Sequence, residues 1–207
     1  LTPFGISLVK EMNRLGMVID VSHVSDKTFF DVIAATRDPV ILSHSGCRAV
    51  NPHRRNVSDD MLRALAANGG VIGIVFELTF LNREYAAAAQ ELRAIGRPLL
   101  QKVPVIEDVD LRVAIDHLSE GRDWPLEGKP TIEHLLDHID HAVKVAGIDH
   151  VGLGADMYPR TPTPEGIRGA HDYGNITRGL KRRGYSDEAV RQIMGGNFLR
   201  VWKRVAR

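Results

Sequence analysis

The sequence predicts an α/β fold with a parallel sheet, and two observations carry that prediction. Short β-branched runs alternate with helical patterns, as in successive βαβ units. Three of the runs, at about residues 18–22, 40–43 and 151–155, lead into His23, His44 and Asp156. In a barrel of parallel strands, a residue at the carboxyl end of a strand faces the mouth where active sites form.

Thr2-Pro3 gives the first helix a capping hydroxyl and a proline at its first position. Phe4, Leu8, Met12 and Leu15 recur at helical spacing, and Gly16 stops them. A strand over 18–22 follows. Ser25 caps the next helix, whose buried stripe is Phe29, Phe30, Ile33 and Ala34. Pro39 opens the strand that leads into His44. A loop carrying Pro52, Arg54 and Arg55 then reaches Ser58, the cap of a third helix, which Gly69-Gly70 ends before a strand over 71–76.

Residues 82–130 break this rhythm. A connection so long is expected to be an inserted excursion over the barrel mouth or a lid, with its own helical piece from Glu84 to Ile95. Thr131 restores the pattern by capping a helix through Ala146, and a strand follows from His150 to Ala155. A helix near Ile176 to Arg183 and one or two more after Ser186, split around Gly195-Gly196, close the chain. An eight-stranded α/β barrel takes about 250 residues, and the four runs supply about half of one. Half a barrel by itself exposes a sheet edge and a wide apolar face. The expectation is a single domain over residues 1–207. It is either a small open sheet or a barrel whose first half lies upstream or on another chain.

Composition narrows the function classes. Hydrophobic residues make up 43% of the chain and charged residues 26%, with a net charge of +1, an ordinary globular balance. There is no basic stripe suited to nucleic acid and no acidic tail. No apolar run approaches the roughly 20 residues of a membrane span. The single cysteine, Cys47, excludes an internal disulfide framework and a cysteine-built zinc site. Leu1-Thr2-Pro3-Phe4 shows neither an initiator Met nor a leader pattern. A cytoplasmic chain that begins inside a longer protein is expected.

His23 and His44 are the candidate metal ligands. Imidazole is a common zinc donor, and adjacent strand ends bring two of them within reach of one ion. A lone strand-end histidine more often caps its strand. Two in the same context, each preceded by Ser and followed by a polar loop, favour a site. With the Asp156 carboxylate they suggest metal-assisted hydrolysis. Other residues read more plainly. His134, His138 and His141 share one helical face, and with Asp137 and Asp140 beside them they read as solvated surface. His53, His117, His150 and His171 read as surface groups, Asp20 and Ser22 as orienting their neighbours or facing the core, and Cys47 as a small buried apolar residue.

Five segments stand in a telling order: Leu1-Thr2-Pro3-Phe4-Gly5, Ile19-Asp20-Val21-Ser22-His23-Val24-Ser25, Ser43-His44-Ser45, Arg54-Arg55-Asn56-Val57 and Gly152-Leu153-Gly154-Ala155-Asp156. That order resembles the membrane dipeptidase (renal dipeptidase) family of zinc peptidases. Gly196-Asn197-Phe198-Leu199-Arg200-Val201 is similar to the family's ending, and the 21-residue step from His23 to His44 and the 11-residue step on to Arg55 agree with its pattern.

The resemblance implies the carboxyl-terminal half of a (β/α)8 TIM barrel of the metal-dependent amidohydrolase type, with two zinc ions bridged by a glutamate and a hydroxide. On it, His23 and His44 would bind the second zinc, Arg55 would grip the carboxylate of a dipeptide substrate, and Asp156 would shuttle the proton. Arginine matches a carboxylate with a planar fork of donors. A carboxylate near cations stays ionised and can accept a proton from water. The family's first-zinc His-x-Asp pair and bridging glutamate have no counterpart from Leu1 onward. The His-x-Asp that is present, His138-Ile139-Asp140, falls inside a helix, and Met157-Tyr158-Pro159 replaces the family's Phe-Asp-Gly. The implied activity is zinc-dependent dipeptide hydrolysis, incomplete in this chain by itself. The alternatives are a non-catalytic remnant or subunit that needs a partner or a homo-oligomer for the missing strands, and a related barrel amidohydrolase acting on another amide or lactone.

Overall fold

The computed structural model describes residues 1–102, 128–157 and 162–206. At its centre lies a parallel sheet in the order β1 (Ile41–Ser45), β2 (Val71–Ile74), β3 (Val151–Leu153). Ile41 pairs with Val71 and Ile72 with Val151. The expected strand at 18–22 is reduced to one parallel bridge between Asp20 and Ile41. Val21 N–H donates to the Ile41 carbonyl and Ile41 N–H to that of Ile19, each at 2.9 Å. The Asp20 carboxylate accepts from the Ser22 and Ser43 N–H groups and from both hydroxyls. Side-chain bonding of this kind competes with a ladder, and the chain turns at Ser22 instead of extending.

Helix α1 (Pro3–Leu15) begins where Thr2 accepts from Gly5 N–H and ends at Gly16, whose φ of 70° is left-handed. Its buried side is not the expected one. Phe4, Leu8 and Leu15 are exposed, and Val9 and Asn13 face inward. The reason is polar: Asn13 Oδ1 accepts from the Thr36 hydroxyl at 3.1 Å and from Arg37 N–H at 3.0 Å, which docks that side onto the end of the next helix. Helices α2 (Asp26–Ala35) and α3 (Asp59–Asn68) carry the expected caps, Ser25 and Ser58. In α2 the buried residues are Phe29 and Val32, while Phe30 is exposed.

After β2 come α4 (Leu78–Leu81) and α5 (Arg83–Lys102). The second is the expected helical piece, longer at its carboxyl end. The rest of the expected excursion, at 103–127, lies outside the described residues. Thr131 caps α6 (Ile132–Ala146), and a short 3-10 turn, Ile148–His150, delays β3 by one residue. Then follow α7 (Tyr173–Arg182), α8 (Asp187–Arg191) and α9 (Asn197–Val205). The last two are separated at Gln192–Gly196, where Gly195 adopts φ 153°, as the glycine pair predicted.

Successive strand residues face opposite sides of a sheet. Leu42, Ile72 and Ile74 pack with Phe29, Leu62, Leu65, Leu136 and Ile139 of α2, α3 and α6. Ile41 and Val71 instead meet Phe198, Val201 and Val205 of α9. Burial on both faces of β2 explains why it reads as a continuous apolar run.

His138 corrects the expectation of a solvated histidine face. Its side chain is fully buried (0% exposed) within the stripe of Leu135, Ile139 and Ala142. Nδ1 accepts from Cys47 N–H at 2.8 Å, and Nε2–H donates to the Leu81 carbonyl at 3.1 Å. His134 closes a capping box with Thr131, and His141 pairs with Asp59 at 2.8 Å. Two of the supposed surface histidines are half-buried: His53 stacks on Phe80 at 4.4 Å, and His150 Nδ1–H donates to the Gly70 carbonyl at 2.8 Å. His171 is exposed and His117 lies outside the described residues. Cys47 is buried as expected, which pushes its thiol up to about 12.

Burial pushes the His138 imidazole down to about 4, against the opposing pull of the Leu81 carbonyl and Asp137. An unfolded histidine takes its proton near pH 6.5. The stabilisation from a buried neutral His138 is therefore intact above pH 6.5 and is lost as pH falls toward 4, an effect of order 3 kcal/mol. Urea unfolding at pH 7, 5 and 4 should show this slope, and His138→Gln should flatten it. An equal slope in both proteins would assign the acid sensitivity to other groups.

Candidate metal centre

The four residues singled out from the sequence converge. His23 follows the turn at Ser22, His44 lies in β1, Arg55 comes from the loop after β1, and Asp156 follows β3. His23 Nε2 and His44 Nε2 stand 2.7 Å apart, with ring centroids at 4.7 Å. Asp156 Oδ2 is 3.7 Å from His44 Nε2, and Arg55 Nη2 is 3.2 Å from His23 Nε2. Parallel strands explain the meeting, because their carboxyl ends all open on one side.

The orientation of His44 is built by its neighbours. The Ser43 hydroxyl donates to Asp20 Oδ2 at 2.5 Å, so it must accept from His44 Nδ1–H at 2.8 Å. That chain leaves Nε2 with its lone pair facing His23. Second partners of this kind fix the tautomer of metal-binding imidazoles. Desolvation alone would raise the Asp20 carboxyl, but the Ser43 and Ser22 hydrogen bonds outweigh it and hold the group below the usual carboxylate range. Burial pushes the His44 imidazole down, opposed by Asp156 and reinforced by His23. Ser22 adds a further tie, since its hydroxyl accepts from His44 N–H at 3.1 Å. Asp20 and Ser22 thus orient their neighbours, as expected.

Arg55 is seated on groups that the sequence did not reveal. One arm donates to the Ser22 carbonyl, and the guanidinium lies 5.6 Å from the ring centroid of Phe80. Phe80 also stacks on His53, and its carbonyl accepts from Asn56 Nδ2 at 2.8 Å. Nothing in the local pattern around Phe80 separates it from a core residue. Arg48 forks onto Asp26 at 2.7 and 2.9 Å, tying the loop to α2. A cleft of about 530 Å³ opens beside His23, lined in part by Ser22, Arg48, Arg54 and Arg55. The loop's first bend needs Gly46, because a Cβ there would lie 2.5 Å from Asn56 Oδ1. Asp156 holds the left-handed conformation, φ 49°. Burial pulls the Arg55 guanidinium below its ordinary value, opposed by Asp156 and Asp20. It stays cationic, since arginine starts above 12.

The donor set suits a transition metal in part. The His23 and His44 ring nitrogens, 2.7 Å apart, are close enough to meet at one proton or one cation. Neutral imidazole nitrogens are typical zinc donors. A catalytic zinc usually takes three protein ligands. Among the described residues, no group of three or more His, Cys, Asp or Glu is placed to hold an ion.

Parallel strands walled by helices, with imidazoles and a carboxylate gathered at the strands' carboxyl ends, define the class of α/β proteins whose sites open on that rim. Within that class, the chain belongs to the membrane dipeptidase family, peptidase family M19, whose profile matches residues 1–207. The uncharacterized dipeptidase C965.12 of Schizosaccharomyces pombe is 34% identical over 205 residues, which cover 99% of this chain and 39% of that protein. Among solved structures, the probable dipeptidase PvdM from Pseudomonas aeruginosa is similar at 31% identity and a TM-score of 0.79, over 99% of this chain and 54% of that one. A metallo peptidase from Rhodobacter sphaeroides, liganded with a phosphinate mimic of the dipeptide L-Ala-D-Ala, is similar at 27% identity and a TM-score of 0.73, over 99% and 47%. The chain thus spans about two fifths to one half of these relatives. It shares the fold of M19 metallopeptidases, which are TIM-barrel enzymes of the amidohydrolase type. Among the described residues, no helix is long and apolar enough to cross a membrane.

Proposed function

We propose that this chain is the carboxyl-terminal half of the (β/α)8 barrel of a zinc dipeptidase, one domain over residues 1–207 with 82–130 as an inserted excursion. The observation that supports it best is the convergence of His23, His44, Arg55 and Asp156 from four separate stretches of chain. His23 and His44 would hold the second zinc, with the remaining donors supplied from outside this chain. The chemistry expected of zinc there is water activation and polarisation of the scissile carbonyl.

The chain's own groups do the rest. The Asp20–Ser43 pair keeps His44 Nε2 available as a donor. Asp156 accepts the proton of the attacking water and passes it to the leaving amine. Arg55 receives the substrate's terminal carboxylate with a fork of donors, on a ring that limits its swing. A dipeptide places one amide between two opposite charges, so a fixed partner at one end supplies much of the orientation.

Zinc content and hydrolysis of L-Ala-D-Ala should be measured for residues 1–207 alone and for the protein extended upstream of Leu1. We expect neither tight zinc nor turnover in the first and both in the second. Stoichiometric zinc with turnover in residues 1–207 would overturn the incompleteness, and an inactive extended protein would overturn the enzyme reading in favour of a non-catalytic subunit.

A further inference from the structure

We infer that His138, outside the candidate centre, is a positioning residue for Arg55, and through it for the substrate's carboxylate; the second step rests on the dipeptidase reading above. Its imidazole is wholly buried on α6, yet it bonds the two connections that build the arginine's seat. Nδ1 accepts from Cys47 N–H at 2.8 Å in the loop after β1. Nε2–H donates at 3.1 Å to the carbonyl of Leu81, the last residue of α4 after β2. The Cys47 thiol donates to the His138 carbonyl at 3.3 Å, so helix and loop are clasped twice.

Both connections lead directly to Arg55. From Cys47 the loop runs out to Arg55 and returns beside itself: Arg48 N–H donates to the Val57 carbonyl at 2.8 Å, and Val57 N–H to that of Gly46 at 2.9 Å. On the other side, Phe80 immediately precedes Leu81 and supplies the ring beside the guanidinium. The two connections are stitched together by Asn56 Nδ2 on the Phe80 carbonyl and Asn51 Nδ2 on that of Thr79, at 2.8 and 2.9 Å. One rigid ring therefore sets the spacing between the loop that carries the arginine and the turn that supports it.

Few side chains could do this. Neutral imidazole offers an acceptor and a donor on different edges of one rigid ring. Asparagine can reproduce only the nearer contact and glutamine only the farther one. Either leaves a buried backbone group without its partner, and the spacing is released. Plain helix packing would need no such pair of polar contacts.

The test compares the complete enzyme with His138→Gln, His138→Asn, Arg55→Ala and the two double variants, on L-Ala-D-Ala and on its carboxyl-terminal amide. Each His138 variant should raise KM for the free acid about fivefold, the size of one hydrogen bond's contribution. The turnover number should stay within about twofold and KM for the amide should not move. Once Arg55 is alanine, the His138 change should add nothing, because coupled residues are not additive. Equal losses on acid and amide, or effects that add to Arg55→Ala, would overturn the inference. A second readout needs no turnover. In nitrogen-15 spectra, the Arg55 Nε–H resonance should shift or broaden in His138→Gln while that of Arg14, bonded to Glu11 within α1 at 2.8 Å, stays put. An unmoved Arg55 signal overturns the positioning role. A moved signal in a protein that hydrolyses no dipeptide supports positioning and overturns only the dipeptidase reading.

Discussion

His44→Ala is expected to remove zinc from the second site of the complete enzyme and to lower kcat/KM for dipeptides by at least about a thousandfold. The size follows from comparison with weaker changes, since losing even an outer partner of a metal ligand costs about 10- to 100-fold. His44 stands at the centre of the arrangement: its Nε2 meets His23 at 2.7 Å and has Asp156 at 3.7 Å, while its Nδ1 is anchored by Ser43. Its removal deletes a donor and frees the Asp20–Ser43 pair to reorganise. Ser43→Ala should show the smaller, 10- to 100-fold effect. Metal analysis on the purified variants decides the point. Unchanged zinc in His44→Ala would take this histidine out of the ligand set.

Arg55→Ala should produce the second large effect, and a selective one. Hydrogen bonds to charged groups contribute about 1.5–3 kcal/mol, so kcat/KM for free dipeptides should fall roughly 10- to 150-fold. Most of that fall should come through KM. Dipeptide amides, which lack the carboxylate, should be affected less than about twofold, because they never formed the contact that is lost. Equal losses on both substrates would show that the guanidinium serves the fold through the Ser22 carbonyl and Phe80 instead of reading the peptide terminus.

What the sequence made visible was mostly local. Thr2, Ser25, Ser58, Thr131 and Ser186 each announce a helix from within a few residues, and each caps one. The convergence of His23 and His44 was legible for a related reason, since consecutive βα units lie side by side and open on the same rim. The failures all involve partners distant in the chain. The run at 18–22 has the composition of a strand, but Ser43, 23 residues beyond Asp20, captures the carboxylate and the chain turns. Asp137 and Asp140 made the histidine face look solvated. Yet His138 lies between Leu135 and Ala142 in the buried stripe, and its Cys47 partner is 91 residues away. The support of Arg55 by Phe80 spans 25 residues and a strand, and no periodicity records it.

The backbone at Asp156, with its φ of 49°, bears on how such an enzyme could fall silent over evolutionary time. Left-handed positions tolerate glycine, and asparagine and aspartate far better than other side chains. On the dipeptidase reading, exchanging aspartate for asparagine or glycine would erase the proposed proton carrier while leaving the bend intact. A descendant with that exchange would still fold, whereas a bulkier or β-branched replacement would strain the bend itself.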